Sequence, residues 1–173
     1  MGKINIEELI SSFDVEYEDN PNPIIFDLVT YIGLNKISND YANKVDSLSL
    51  MQSRIFNSGF PSVGYSTNLF ISKGKDKSQK DIQLLNDFLL ELNLIQVSNY
   101  LLDSYKYFVE YSELTNYGDS SVDDYGDSSV DDFEDEYEKI DSLSYIYDKN
   151  EQKVSESLFN YCKDNLNKIL EIK

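Results

Sequence analysis

The chain has 173 residues, a formal net charge of −17, one cysteine and no histidine. That length fits one domain, or a domain with a flexible segment, and 40% hydrophobic content with nine Phe and fourteen Tyr supplies an independent core. Without histidine and with Cys162 alone, the usual zinc ligand sets, any Ser-His-Asp or Cys-His machinery and an intramolecular disulfide are excluded, which leaves carboxylate, Lys, Tyr and Ser for chemistry.

The opening residues Met1 to Glu8 are too polar for a secretory signal. Gly2 does not meet the myristoylation pattern, because Ile6 stands where Ser or Thr belongs. With no run of 18 apolar residues to span a membrane, the expected location is cytoplasmic.

In chain order, Asn5 is expected to cap a first helix, with Glu8 as its capping-box partner and Ile6, Leu9, Ile10 and Phe13 on one face. Asn22 and Pro23 open a second helix that carries Ile25, Leu28, Val29 and Ile32 and stops at Gly33. Ser38 or Asn39 caps a third, with Tyr41, Val45, Leu48 and Ile55 at helical spacing. Residues 57–66 read as loop, and Leu69-Phe70-Ile71 as a short strand.

Ser78 with Asp81 starts a fourth helix, expected at the centre of the core, on which Ile82, Leu85, Leu89 and Leu92 are joined by Leu84, Phe88 and Ile95. Residues 97–114 fit either helix or strand, and helix is preferred. Leu143 to Tyr147 and Gln152 to Val154, around Asp148 to Glu151, suggest a small hairpin. A last helix from about Glu156 to Leu170 has Leu158, Phe159, Cys162, Leu166, Ile169 and Leu170 as its buried stripe. The expected fold class is mainly α (α+β): a single domain, 1–173, of five or six helices with a small β-hairpin and an acidic inserted loop at 116–138.

That loop is the one specialised feature. Asn116-Tyr117-Gly118-Asp119-Ser120-Ser121-Val122-Asp123 is followed by Asp124-Tyr125-Gly126-Asp127-Ser128-Ser129-Val130-Asp131, and Asp132-Phe133-Glu134 begins a degenerate third unit. An eight-residue unit is too short for a solenoid repeat. Residues 119–138 hold ten acidic and no basic side chains, whereas 139–173 hold six of each. Self-repulsion and sparse apolar side chains predict a mobile insertion.

Two readings of the insertion compete. In the first, Tyr117, Tyr125, Phe133 and Tyr137, interleaved with Asp119, Asp123, Asp124, Asp127, Asp131 and Asp132, compete for a groove built for single-stranded nucleic acid. In the second, repeat duplication has lengthened a solvated loop.

Weaker patterns carry less. Ser120, Ser121, Ser128 and Ser129 each precede an Asp by three residues, as in substrates of acidophilic kinases. The glycines precede the acidic pairs, so the loop departs from the EF-hand pattern. Lys73, Lys75, Lys77 and Lys80 make the sole basic cluster; Asp76 after Gly74-Lys75 rules out a P-loop. Segments 23–34 and 38–56 have helix-turn-helix spacing, but a chain of net −17 lacks the phosphate-neutralising footprint of direct DNA binding. Cys162 is expected to be a buried structural thiol.

The expected function is an acidic protein-binding inhibitor or adaptor, not an enzyme, with no cofactor and no metal. Its sharpest form is a nucleic-acid mimic that inhibits a nucleic-acid-binding defence effector, of the phage or mobile-element type. The partner is a protein with a basic surface. A structural, oligomeric assembly protein and a carboxylate-dependent Mg²⁺ enzyme are the alternatives.

Overall fold

A computed structural model describes residues 4–14, 20–58, 75–114 and 149–172. They form six helices: α1 (Ile6–Ser12), α2 (Asn22–Asn35), α3 (Asp40–Ser58), α4 (Lys75–Glu91), α5 (Ile95–Leu114) and α6 (Glu151–Ile169). No strand occurs among the described residues, so the class is mainly α.

α3 packs on α2, α4 and α6; α2 also meets α1 and α6, and α4 meets α5. α2 and α3 therefore each pack on three helices, while α4, expected at the centre, pairs with α3 and α5. One continuous core results. Leu28, Val45, Leu48, Leu85, Phe88, Leu89, Val97, Leu158 and Ile169 are all but fully buried within it. Each such side chain contributes about 1.5–3 kcal/mol relative to an exposed one. Phe13 stacks on Phe159 at a centroid distance of 5.2 Å, which ties α6 to the turn after α1.

The helix entrances follow local chemistry. Asn5 caps α1 by accepting from the Glu7 N–H at 3.0 Å, one residue before the expected capping-box partner. At α2, Pro21 is the boundary residue and Asn20 Oδ1 accepts from the Asn22 N–H at 2.9 Å, displacing the expected Asn22 cap. Pro23, whose missing N–H costs nothing in a first turn, sits just inside. Asn39, one of the two residues expected to cap α3, accepts from the Ala42 N–H at 2.9 Å.

Three helix exits, those of α2, α4 and α6, share one device. Lys36, Asn93 and Glu171 have φ of 54°, 57° and 54°. Each ends a helix by paired backbone bonds, as when Leu94 N–H donates to Leu89 O at 2.8 Å and Asn93 N–H to Leu90 O at 2.9 Å. The expected stop at Gly33 is thus two residues early. α2 runs through Gly33 to Asn35, and Lys36 turns the chain.

The proposed hairpin is corrected. Gln152 to Val154 are helical, because Val154 is fully buried and extends the stripe of Leu158, Tyr161 and Cys162 at helical spacing. Asn150 is the boundary residue of α6, and Glu151 places a carboxylate in the first turn where the helix dipole favours it. Leu143 to Tyr147, Leu69-Phe70-Ile71, residues 59–66 and the acidic insertion at 116–138 lie outside the described residues. Residues 57 and 58, expected in loop, continue α3, and α4 begins at Lys75 ahead of the expected Ser78. Ile95, expected to widen the α4 face, instead opens α5 and is 55% exposed. The segment 97–114 is helical, as preferred.

Candidate functional site

α2 is an unusual surface helix. Asp27 is its one charged residue in fourteen, so little besides packing separates its inner from its outer faces. Ile25, Leu28 and Ile32 are buried. Phe26, Val29 and Gly33 make a second stripe at i, i+3 and i+7, rotated away from the first. Phe26 is 63% exposed.

Phe26 and Val29 of this second stripe border a groove of about 410 Å³ between α2 and α3. From α2 it takes Asn22, Ile25, Phe26 and Val29; from α3 it takes Asp46, Ser49, Leu50 and Gln52. That volume lies in the range of about 300–1,000 Å³ common to ligand pockets. Asn39 fixes where α3 begins, and Val45 and Leu48 turn inward, leaving Asp46 and Leu50 on the groove side. Leu50 is 38% exposed on the wall opposite Phe26. Gln52 anchors the floor from below, its Nε2 donating to Ser155 Oγ of α6 at 3.0 Å. Asp46 is the single charged side chain among the described lining residues. Ser49 Oγ is buried there with no hydrogen-bond partner among the described residues.

A second depression of about 620 Å³ lies across α2, where Ile4, Asn5 and Ile6 face Tyr31, Leu34 and Asn35. Leu34 is 66% exposed on its rim. Both depressions use α2, one on each flank.

Two further reactive groups, Cys162 and Tyr161, are enclosed. Cys162 is fully buried, as expected of a structural thiol, and burial pushes its pKa well above the ordinary 9.0. Tyr161 is raised well above 10.0, first by burial and then by the Glu91 carboxylate. Its ring packs edge-on against Phe88 at 4.7 Å and stacks on Tyr41 at 6.5 Å. Lys44, paired with Glu91, sits 5.6 Å from the Phe88 centroid, and Lys168 sits 5.0 Å from that of Tyr41. These cations cover core rings and brace α3 against α4 and α6.

Tyr117, Asp119, Asp123, Asp124, Tyr125, Asp127, Asp131, Asp132, Phe133 and Tyr137 all fall outside the described residues. So do the four serines of the repeat and, from the basic cluster, Lys73 and the side chains of Lys75 and Lys77; Lys80 is exposed. The groove was missed in the sequence because Val29 was read with Ile25, Leu28 and Ile32 on a single face and Phe26 was given no role. The available signal was a fourteen-residue helix with one charge and two apolar stripes. Among the described residues no group of three His, Cys, Asp or Glu is placed to hold a metal ion, and no helix is long and apolar enough to cross a membrane. Comparisons with protein-family models, with curated proteins and with solved structures give no match to this chain.

Proposed function

We propose that the chain is an acidic protein-binding inhibitor or adaptor that engages a partner with a basic surface. The observation that carries this reading is the α2–α3 groove with Phe26 63% exposed at its lip. An aromatic held on a rigid helix beside an apolar groove is the kind of group on which interface energy concentrates. The partner's sign follows from a net charge of −17, which speeds encounter with cationic surfaces and repels acidic ones.

The sharper form is a nucleic-acid mimic directed at a nucleic-acid-binding effector. There Tyr117, Tyr125, Phe133 and Tyr137, with the aspartates between them, occupy the effector's groove, and electrostatic competition is the mechanism. Its support is the sequence: ten acidic and no basic side chains over 119–138, with aromatic rings among them.

Capture from the native host by the wild-type chain, a 117–138 deletion and Phe26→Glu tests both forms. A basic protein held by wild type and released by salt is the expected result. Loss on deletion supports mimicry, and loss with Phe26→Glu places the contact on the helices. Capture of no basic partner by any form overturns the reading.

A further inference from the structure

We infer that the α2–α3 groove receives one amphipathic helix of the cationic partner, its apolar face against Phe26, Val29 and Leu50 and a Lys or Arg beside Asp46. This rests on the protein-binding reading and names the element that is bound.

Shape comes first. The groove runs between two packed helices, and its lips carry exposed apolar side chains from both, Phe26 on α2 and Leu50 on α3. A helix laid between two helices presents anchors at i, i+3 or i+4 and i+7, and Asn22, Phe26 and Val29 line one wall at the matching spacing i, i+4 and i+7. At about 410 Å³ the groove accepts a few side chains, not a folded domain.

Charge then selects the occupant. A second copy of this chain would bring a further −17 to a groove whose one charged lining residue among those described is Asp46. Like charges brought together are unfavourable, so self-association through this face is opposed. A helix with basic residues flanking an apolar stripe meets both the groove and Asp46. Ser49 Oγ, buried at the same place without a partner among the described residues, gains a hydrogen bond if the occupant brings a polar group to it.

The test titrates the full chain with an 18-residue Leu/Lys peptide of helical amphipathic pattern and with a scrambled peptide of the same composition. Wild type is expected to bind the amphipathic peptide roughly tenfold more tightly than the scramble, with NMR shifts at Ile25, Val29 and Leu50. Phe26→Glu should abolish that preference while leaving the melting temperature unchanged, and Asp46→Lys should weaken the amphipathic peptide more than the scramble, narrowing the preference without abolishing it. Equal binding of both peptides, or an undiminished preference in Phe26→Glu, overturns the groove and leaves the basic-partner reading standing. Binding of neither peptide overturns both. A concentration-dependent dimer that Phe26→Glu dissolves, or a co-purifying apolar small molecule seen by native mass spectrometry, assigns the groove to another occupant and overturns the inference.

Discussion

At Tyr161 the packing of one ring decides a chemical property. Its aromatic body fills space between Tyr41 and Phe88, and its hydroxyl is buried with no hydrogen-bond partner among the described residues. Burying an unpaired hydroxyl costs about 1–3 kcal/mol in proteins, so Tyr161→Phe should leave stability unchanged or raise it by up to about 1 kcal/mol. The pH dependence follows in sign. The folded-state pKa values of Tyr161 and Cys162 lie above their ordinary 10.0 and 9.0, so the folded chain keeps protons that the unfolded chain releases. Their contribution is complete below pH 9 and declines as pH rises past 9.0 for the thiol and 10.0 for the phenol. Each group adds a slope of at most about 1.4 kcal/mol per pH unit. Urea midpoints between pH 8 and 11 should fall for wild type and fall less steeply above pH 10 for Tyr161→Phe. A markedly less stable variant would show that the hydroxyl has a partner, and a slope as steep as wild type would show that folding does not raise its pKa.

At the scale of elements, Asn39 joins the start of α3 to the end of α6. Its Oδ1 accepts from Ala42 N–H, while its Nδ2 lies 3.2 Å from Lys168 O, 3.1 Å from Ile169 O and 3.2 Å from Glu171 Oε1. One side chain thus satisfies an orphan donor of one helix and orphan acceptors of another. Asn39→Ala should cost about 1–3 kcal/mol, the lost cap plus the unpaired carbonyls. Asn39→Asp separates the two roles, because it keeps the capping oxygen but sets a carboxylate against two carbonyls and Glu171. It should remain at least about 1 kcal/mol below wild type in urea unfolding, and full recovery would reduce Asn39 to a cap.

The same scale shows what the sequence made legible. The stripe of α6 from Leu158 to Leu170 was readable because every apolar residue in it faces the core at 3.6-residue spacing. The cap at Asn39 was read as one of two choices, but its second role was invisible, since Lys168 is 129 residues away in the chain. Gly33 misled for a physical reason. Glycine ends helices where φ must be positive, and here Lys36 takes that conformation while Gly33 stays helical. Gln152 to Val154 misled because three residues carry no period, and only the longer stripe reveals the helix. The groove was legible in part, as α2 has one charge in fourteen residues, but its second wall comes from α3, and that pairing is tertiary.

For the whole molecule, a net charge of −17 on 173 residues acts on folding and on binding in opposite senses. Compaction brings like charges together, so self-repulsion opposes the folded state, and salt screens it over a distance that shrinks to about 8 Å at 0.15 M. Raising sodium chloride from about 0.01 M to 0.15 M should therefore raise the melting temperature, with roughly 2–4 °C for each 1 kcal/mol relieved at this chain length. Attraction to a basic partner is screened by the same ions, so its association rate should fall over the same range. The apolar contact at Phe26 has no such dependence, and complexes held mainly there will retain slow dissociation at high salt. Calorimetry and stopped-flow binding on one salt series measure both trends. A melting temperature that is flat or falls with salt would mean that the acidic groups are already neutralised by their own neighbours, which removes the electrostatic argument for a basic partner and leaves the groove alone to select it.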